Sequence, residues 1–259
     1  MKIAIMGAGK MGCWLAKALA EGNEVALYDR TLAKAQSVKG VKALRGLPEL
    51  VPFAPELFIN AVSLQNTVAA FGEALPHLPE GCVIADVASV KGGLEEYYRK
   101  SGRKFASMHP MFGPTFADFG SLREENAVII SESEPAMAEF FTAFFAKLGV
   151  KTYEMSFKEH DKMMAYSLTT PFVSSLVFAS CIDKTAVPGA TFARHMKIAK
   201  GLLSEDDHLL CEILFNEQSV PQIEKISAKL QHLKHIIAGK DREAAKEFLD
   251  KLRKKIGNG

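Results

Sequence analysis

A chain of 259 residues with 48% hydrophobic and 24% charged residues is long enough for two modest domains with a sizeable core. A formal charge of +2, from 32 basic and 30 acidic residues, gives no electrostatic reason for a nucleic-acid or anionic-membrane partner. Cys13, Cys82, Cys181 and Cys211 are scattered without CxxC spacing and read as small core residues of a reducing, cytoplasmic setting.

The first half alternates short apolar runs with helical spacing. Segments 2–6, 24–29, 57–63, 82–89, 104–109, 127–131 and 151–155 read as strands, several of them continuously apolar, as parallel strands covered on both faces are. The run at 3–6 is too short for a signal-peptide core and leads straight into glycines. Helical spacing appears at 12–21, 65–75, 93–100 and 135–148. This alternation predicts an α/β fold, a Rossmann-type, doubly wound and mostly parallel sheet over residues 1–156.

Beyond residue 156 only helical patterns recur, at 157–182, 190–203, 205–237 and 241–256, which predicts an all-helical C-terminal domain over 157–259. Pro221 reads as a helix start, Gly239 as a stop and Asp241 as the cap of the last helix. Residues 163–182 carry no formal charge, yet six hydroxyl residues and Pro171 make them a buried helix rather than a membrane span. Their apolar character suits the core of a homodimer.

Gly7-Ala8-Gly9-Lys10-Met11-Gly12 follows the first strand and opens a helix, the context in which GxGxxG binds a dinucleotide pyrophosphate. Gly7 permits the tight turn, Gly9 the close approach of phosphate, and Gly12 the packing of helix on sheet. Asp29 ends the next strand, where a carboxylate accepts hydrogen bonds from the adenosine ribose. That carboxylate favours NAD. Arg30, one position on, keeps NADP as the alternative, and Ser63, at the end of the third strand, completes the expected cofactor set with Lys10 and Met11.

Two polar clusters leave strand ends: Asp86-Val87-Ala88-Ser89-Val90-Lys91 and His109-Pro110-Met111-Phe112-Gly113-Pro114. In open α/β sheets the ligand crevice lies beyond the carboxyl ends of the strands, so both can meet a nicotinamide. A histidine there is suited to take a hydroxyl proton while the adjacent C–H leaves as hydride.

HPMFGP at 109–114 with D-x-A-S-V-K at 86–91, behind an N-terminal GxGxxG, resembles the prephenate/arogenate dehydrogenases of tyrosine biosynthesis, and most closely the bacterial type fused to chorismate mutase. Glu159-His160-Asp161 and the helical second half are also similar. The resemblance implies oxidative decarboxylation of a small cyclohexadienol carboxylate, prephenate or arogenate. It implies His109 as the acceptor or base toward the 4-hydroxyl, Ser89 as its assistant, and Lys91 as stabiliser of the loop or of an anion. Arg194, with Lys197 as rival, is implied to hold a substrate carboxylate. Where many members carry cations near the proline of the long helix, this chain has Thr169 and Thr170, which offer neutral hydrogen bonds instead.

Three constellations read otherwise. His232 and His235 lack a third ligand, so no metal site is expected. Glu159-His160-Asp161 sits at a helix start and suits capping and an interdomain hydrogen bond. The alternatives are another two-domain hydroxyacid dehydrogenase or imine reductase, which HPMFGP does not suit, and a non-catalytic cofactor-binding module, which retention of Ser89 and His109 does not suit.

Overall fold

The computed structural model describes residues 1–112, 122–183, 187–204 and 207–257. It divides into two compact units, Met1–Met164 with Ser204–Asn216, and Ala165–Leu203 with Glu217–Gly259.

The first unit is built on eight strands: β1 (Lys2–Met6), β2 (Glu24–Tyr28), β3 (Lys42–Leu44), β4 (Leu57–Asn60), β5 (Val83–Asp86), β6 (Phe105–Pro110), β7 (Asn126–Ile130) and β8 (Lys151–Met155). Their order in the sheet is β3-β2-β1-β4-β5-β6-β7-β8. The first six strands follow the doubly wound order, their five pairings all parallel, with crossover helices α1 (Lys10–Leu19), α2 (Leu32–Gln36), α3 (Leu50–Phe53), α4 (Thr67–Ala74) and α5 (Leu94–Ser101). Only β6 with β7 is antiparallel, and α6 (Pro135–Lys147) then returns the chain to β8, parallel to β7.

Strand alternation explains why the apolar runs are unbroken. Ile3, Ile5, Leu27 and Ile59 enter one core, with Trp14, Phe141 and Phe145. Ala4, Met6, Ala26 and Phe58 enter the other, with Phe71, Tyr98 and Phe157. Successive side chains point to opposite faces, so a strand covered on both sides must be apolar at every position.

The expected boundary at 156/157 and the compact units do not coincide. Helix α7 (Phe157–Met164) buries Phe157, His160 and Met164, one apolar face at helical spacing, and Phe157 joins the core beside Tyr98. Helix α10 (Asp207–Leu214) also belongs to the first unit, burying Leu210 and Ile213.

The second unit holds α8 (Thr170–Ser180), α9 (Ala190–Leu202), α11 (Ser219–Gly239) and α12 (Arg242–Lys255), preceded by a π-helical turn at Ala165–Thr169. Phe178 packs on Phe192 at 5.2 Å between ring centroids, and His232 on Phe248 at 5.7 Å. Asp241 caps α12 by accepting the Ala244 N–H at 3.0 Å. The stop before it differs from expectation. Helix α11 runs through Gly239, and the left-handed residue is Lys240, with φ 50°. Pro221 lies in the first turn of α11, where its missing N–H costs nothing. The uncharged stretch 163–182 is split among α7, the π turn and α8. Among the described residues no helix is long and apolar enough to cross a membrane.

Candidate active site

The glycine loop leaves β1 at Met6. Gly7 has φ +104°, and a Cβ there would lie 2.7 Å from the Ala61 carbonyl oxygen; a Cβ on Gly12 would lie 1.8 Å from that of Gly7. Both positions are closed to any side chain. Gly9 is the opposite case, with nothing within 4 Å of a Cβ, so its side of the loop is open. It precedes α1, whose first turn has no side-chain cap and no acidic residue. That helix end presents unpaired N–H groups and a positive dipole end to the open space, as an anion requires. Lys10 is exposed there and Met11 half-buried.

Asp29 is built into the loop. Its Oδ2 accepts the Ala8 N–H at 2.8 Å and its Oδ1 the Thr31 N–H at 2.8 Å, which leaves lone pairs on both oxygens for a further donor. A cavity of about 370 Å³ opens here, lined by Gly7, Gly9, Asp29, Arg30, Lys34 and Ser63 among others. Arg30 is exposed and reaches Glu73 at 3.1 Å. Ser63 is exposed and accepts the Asn66 Nδ2 hydrogen at 2.8 Å. Asn60, which no sequence motif marks, is buried and clamps the neighbouring loop, donating to the Thr67 carbonyl at 2.8 Å and accepting from the Val62 N–H at 3.3 Å.

The second cluster lies at the ends of β5 and β6. Ser107 pairs with Asp86, the last residue of β5, so His109 stands two residues past the end of that strand. Asp86 is fully buried. Its Oδ1 accepts from Lys91 Nζ at 2.6 Å and from the Ala88 N–H at 2.9 Å, and its Oδ2 from the Tyr98 hydroxyl at 2.7 Å. Lys91 Nζ also donates to the Met108 carbonyl at 2.8 Å. Both charged groups are enclosed, and burial, partly offset by Asp86, pulls the Lys91 pKa down while the Tyr98 hydroxyl is pushed well up. Of the two roles expected for Lys91 the geometry favours the loop. The Lys91 ammonium is fully enclosed and already donates to a carboxylate and a carbonyl.

His109 is buried and its Nδ1 lies 3.1 Å from His160 Nε2. His160 Nδ1 lies 3.0 Å from Asp161 Oδ1, and the same oxygen accepts the Lys91 N–H at 2.8 Å. Burial, with His160 and Lys91 nearby, holds the His109 pKa well below the ordinary histidine value, and burial lowers that of His160 too. His109 is therefore a neutral imidazole, the form that can accept a proton. Ser89, on the loop between Asp86 and Lys91, is half-buried. Gly113 and Pro114 of the HPMFGP segment lie outside the described residues.

His160 and Asp161 correct the helix-capping expectation. Ser156 and Glu159 form the capping box, with the Ser156 N–H donating to Glu159 Oε2 at 2.9 Å and the Glu159 N–H to Ser156 Oγ at 3.3 Å, while Glu132 accepts the Phe157 N–H at 3.3 Å. The His160–His109 contact crosses the expected 156/157 boundary, as the interdomain reading anticipates, although both residues fall in the first compact unit. The available signal was spacing, since Phe157, His160 and Met164 fall on one buried helical face.

In the second unit the expected substrate residues divide. Arg194 and Lys197 are exposed on α9. Thr169 is fully buried with its hydroxyl 2.9 Å from Ser219 Oγ, and Thr170 Oγ1 accepts Gln222 Nε2–H at 2.7 Å. These hydroxyls tie the π turn and α8 to α11, which removes enclosed Thr169 from the expected carboxylate-binding set. Among the described residues no group of three or more His, Cys, Asp or Glu is placed to hold a metal ion.

Fold and cradle together define a nucleotide-binding Rossmann protein with a buried histidine at its strand ends. The model of the prephenate dehydrogenase nucleotide-binding domain matches residues 15–154, and the chain belongs to that family. Because the match begins after the glycine loop, the cradle stands on its own geometry.

Among similar structures are prephenate dehydrogenase from Aquifex aeolicus, solved with hydroxyphenyl propionate and NAD+ (19% identity, TM-score 0.84, 98% of this chain and 96% of that one). Synechocystis arogenate dehydrogenase is another (19% identity, TM-score 0.81, 99% of each chain). At such identities the likeness is one of fold. A probable arogenate/prephenate dehydrogenase of Methanocaldococcus jannaschii is 23% identical over 274 residues, covering 98% of this chain. The chain spans 60% of that relative's length and 40% of the length of the Enterobacter agglomerans T-protein, to which it is 25% identical over 154 residues.

Proposed function

We propose that this protein is an NAD-dependent dehydrogenase that oxidatively decarboxylates prephenate or arogenate to the corresponding 4-hydroxyphenyl product. The observation that carries the reading is the neutral, buried His109 just past the end of β5, in a member of the prephenate dehydrogenase family. Gly7, Gly9, Gly12 and the start of α1 would hold the pyrophosphate, and Asp29 the adenosine ribose. Both fit, since Gly9 faces open space and Asp29 keeps lone pairs free. Bound there, the nicotinamide dinucleotide supplies the hydride acceptor. The NAD+ and hydroxyphenyl propionate bound by the Aquifex prephenate dehydrogenase, and the fold shared with the Synechocystis arogenate dehydrogenase, support substrate and cofactor by analogy. Arg30 and Lys34, beside Asp29 in the cavity, keep NADP as the second cofactor to assay.

His109 accepts the 4-hydroxyl proton, Ser89 shares that hydroxyl, and Lys91 with Asp86 keeps the intervening loop in place. Aromatisation supplies the driving force, so orientation and polarisation of the hydroxyl are the main tasks left to the protein. Arg194 or Lys197 would pair with a substrate carboxylate, Arg194 being better suited because its planar fork matches the anion.

The helical unit is also read as a homodimer surface. Helices α8 and α12 bury no residue, while Val177, Ile198, Leu230 and Ile237 are exposed, more apolar surface than a lone helical unit needs. Four free cysteines suit a cytoplasmic enzyme.

The test is NADH or NADPH formation with prephenate and with arogenate, each with NAD and NADP. Turnover of at least one pair is expected, and His109→Asn should lower kcat by about 10²–10⁴ while leaving nucleotide affinity unchanged. Near-normal turnover in that variant would overturn the role of His109. A monomer mass by light scattering at micromolar concentration would remove the dimer.

A further inference from the structure

Two groups in series, the His160 ring and the Asp161 carboxylate, link His109 to the Lys91 backbone N–H, and their donor and acceptor roles can be worked out from one end. Asp161 Oδ1 accepts the Lys91 N–H at 2.8 Å, and a carboxylate has only acceptors to offer. His160 Nδ1, 3.0 Å from the same oxygen, must therefore be the protonated nitrogen. In a neutral ring that leaves the lone pair on Nε2, and His109 Nδ1, 3.1 Å away, must be the donor. His109 then carries its own lone pair on Nε2, the one ring nitrogen with no partner among the described residues.

The geometry points to His160 and Asp161 as positioning residues that fix His109 in the Nδ1–H tautomer, so that its Nε2 lone pair faces the substrate hydroxyl. Burial of both rings, which favours their neutral forms, is what makes the assignment unique, because a charged imidazolium donates from both nitrogens. The tautomer chosen is the less populated one of an imidazole in water, and the hydrogen bond at the far nitrogen selects it. Two further bonds hold the relay itself. Asn216 Nδ2 reaches the Asp161 carbonyl at 3.4 Å, and the Lys91 N–H that anchors Asp161 is held by the buried Lys91–Asp86 pair.

The chemistry balances with this arrangement. As the C4–H pair leaves as hydride, the 4-hydroxyl proton moves to His109 Nε2, and the imidazolium is stabilised through His160 by the Asp161 charge. The C1–carboxylate bond breaks, its electron pair enters the ring and carbon dioxide departs. The proton then returns from Nε2 to the phenolic oxygen, so none is consumed. His109 is a proton store for one turnover, and the dyad behind it sets the store empty at the start.

The kinetic part of this inference rests on the proposed reaction, whereas the tautomer does not. The protein labelled with ¹⁵N in its histidine rings should show His109 and His160 both protonated at Nδ1 and bare at Nε2 at neutral pH, the His109→Asn and His160→Phe spectra giving the assignments. His160→Phe, which keeps a ring but removes the acceptor, should shift His109 toward the Nε2–H form. It should lower kcat by roughly 100-fold or more with substrate KM changed less than about threefold, as loss of a correctly poised base does. Asp161→Ala should cost about tenfold in kcat, and Asp161→Asn less, because its amide oxygen still accepts from both donors. Wild-type His109 protonated at Nε2 would overturn the inference. So would loss of kcat in His160→Phe with the His109 tautomer unchanged, or kcat retained there within threefold. If wild-type protein turns over neither substrate, the reaction reading fails and the ¹⁵N spectrum still decides the tautomer.

Discussion

Lys91 Nζ lies 2.6 Å from Asp86 Oδ1, with neither side chain more than 1% exposed, so the loop bearing Ser89 is fastened by an ion pair sealed from water. Removing one partner strands the other. Lys91→Met should destabilise the protein by about 3–5 kcal/mol, since a buried charge left alone costs more than the pair contributes. The double variant Lys91→Met/Asp86→Asn should recover part of that loss, measured by urea unfolding. A single variant no less stable than wild type contradicts the enclosed pair.

The glycine loop makes two opposite predictions. Gly12→Ala places a methyl 1.8 Å from a carbonyl oxygen and should disrupt both fold and nucleotide binding. Gly9→Ala meets nothing and keeps an ordinary φ of −73°, so its melting temperature should hold or rise slightly. Its dinucleotide affinity should nevertheless fall by at least about tenfold, because the methyl occupies the approach to the pyrophosphate. Calorimetry with NAD on both variants separates the two cases. An undiminished affinity in Gly9→Ala removes that side of the loop from the cofactor site.

Stability should fall on mild acidification. His109 and His160 have folded pKa values below their unfolded ones, so the unfolded chain takes up protons first. Their contribution is complete above the unfolded value of about 6.5 and is lost as pH drops below it, at up to about 1.4 kcal/mol per pH unit for each ring. Urea unfolding between pH 7.5 and 5.5 should show this slope, reduced in His109→Asn. A flat profile there argues against two buried neutral rings.

Arg194→Ala should raise the substrate KM by roughly 10- to 150-fold with a smaller effect on kcat, the loss of a charge-assisted pair worth about 1.5–3 kcal/mol. If KM is unmoved, the same measurement on Lys197→Ala decides between the two cations of α9.

The nucleotide half was legible wherever a local rule applies. Strands buried on both faces read as unbroken apolar runs, and β1, β2 and β4 follow those runs. Short elements escaped: β3 is a three-residue strand, and α2 and α3 span only five and four residues, too few for a period to register. The π turn ahead of Pro171 has the sequence pattern of ordinary helix, because the side-chain bonds from Thr169 and Thr170 to α11 that accompany it are tertiary. His109 stood out because a histidine in a Pro/Gly-rich loop has little packing reason to be there. Its partner carries no such local signal, since His160 is 51 residues away and sits beside a true capping residue, Glu159.

The chain passes from one compact unit to the other after Met164, back after Leu203, and across again after Asn216. For recombination between related genes, this weave is a constraint. A breakpoint at the compositional change near 156 would let a new C-terminal partner replace His160 and Asp161 while His109 stayed behind. Parents that differ at those positions would then yield hybrids with an intact glycine cradle and a base of undetermined tautomer. Viable exchanges are expected to keep residues 86–161 on one parental segment.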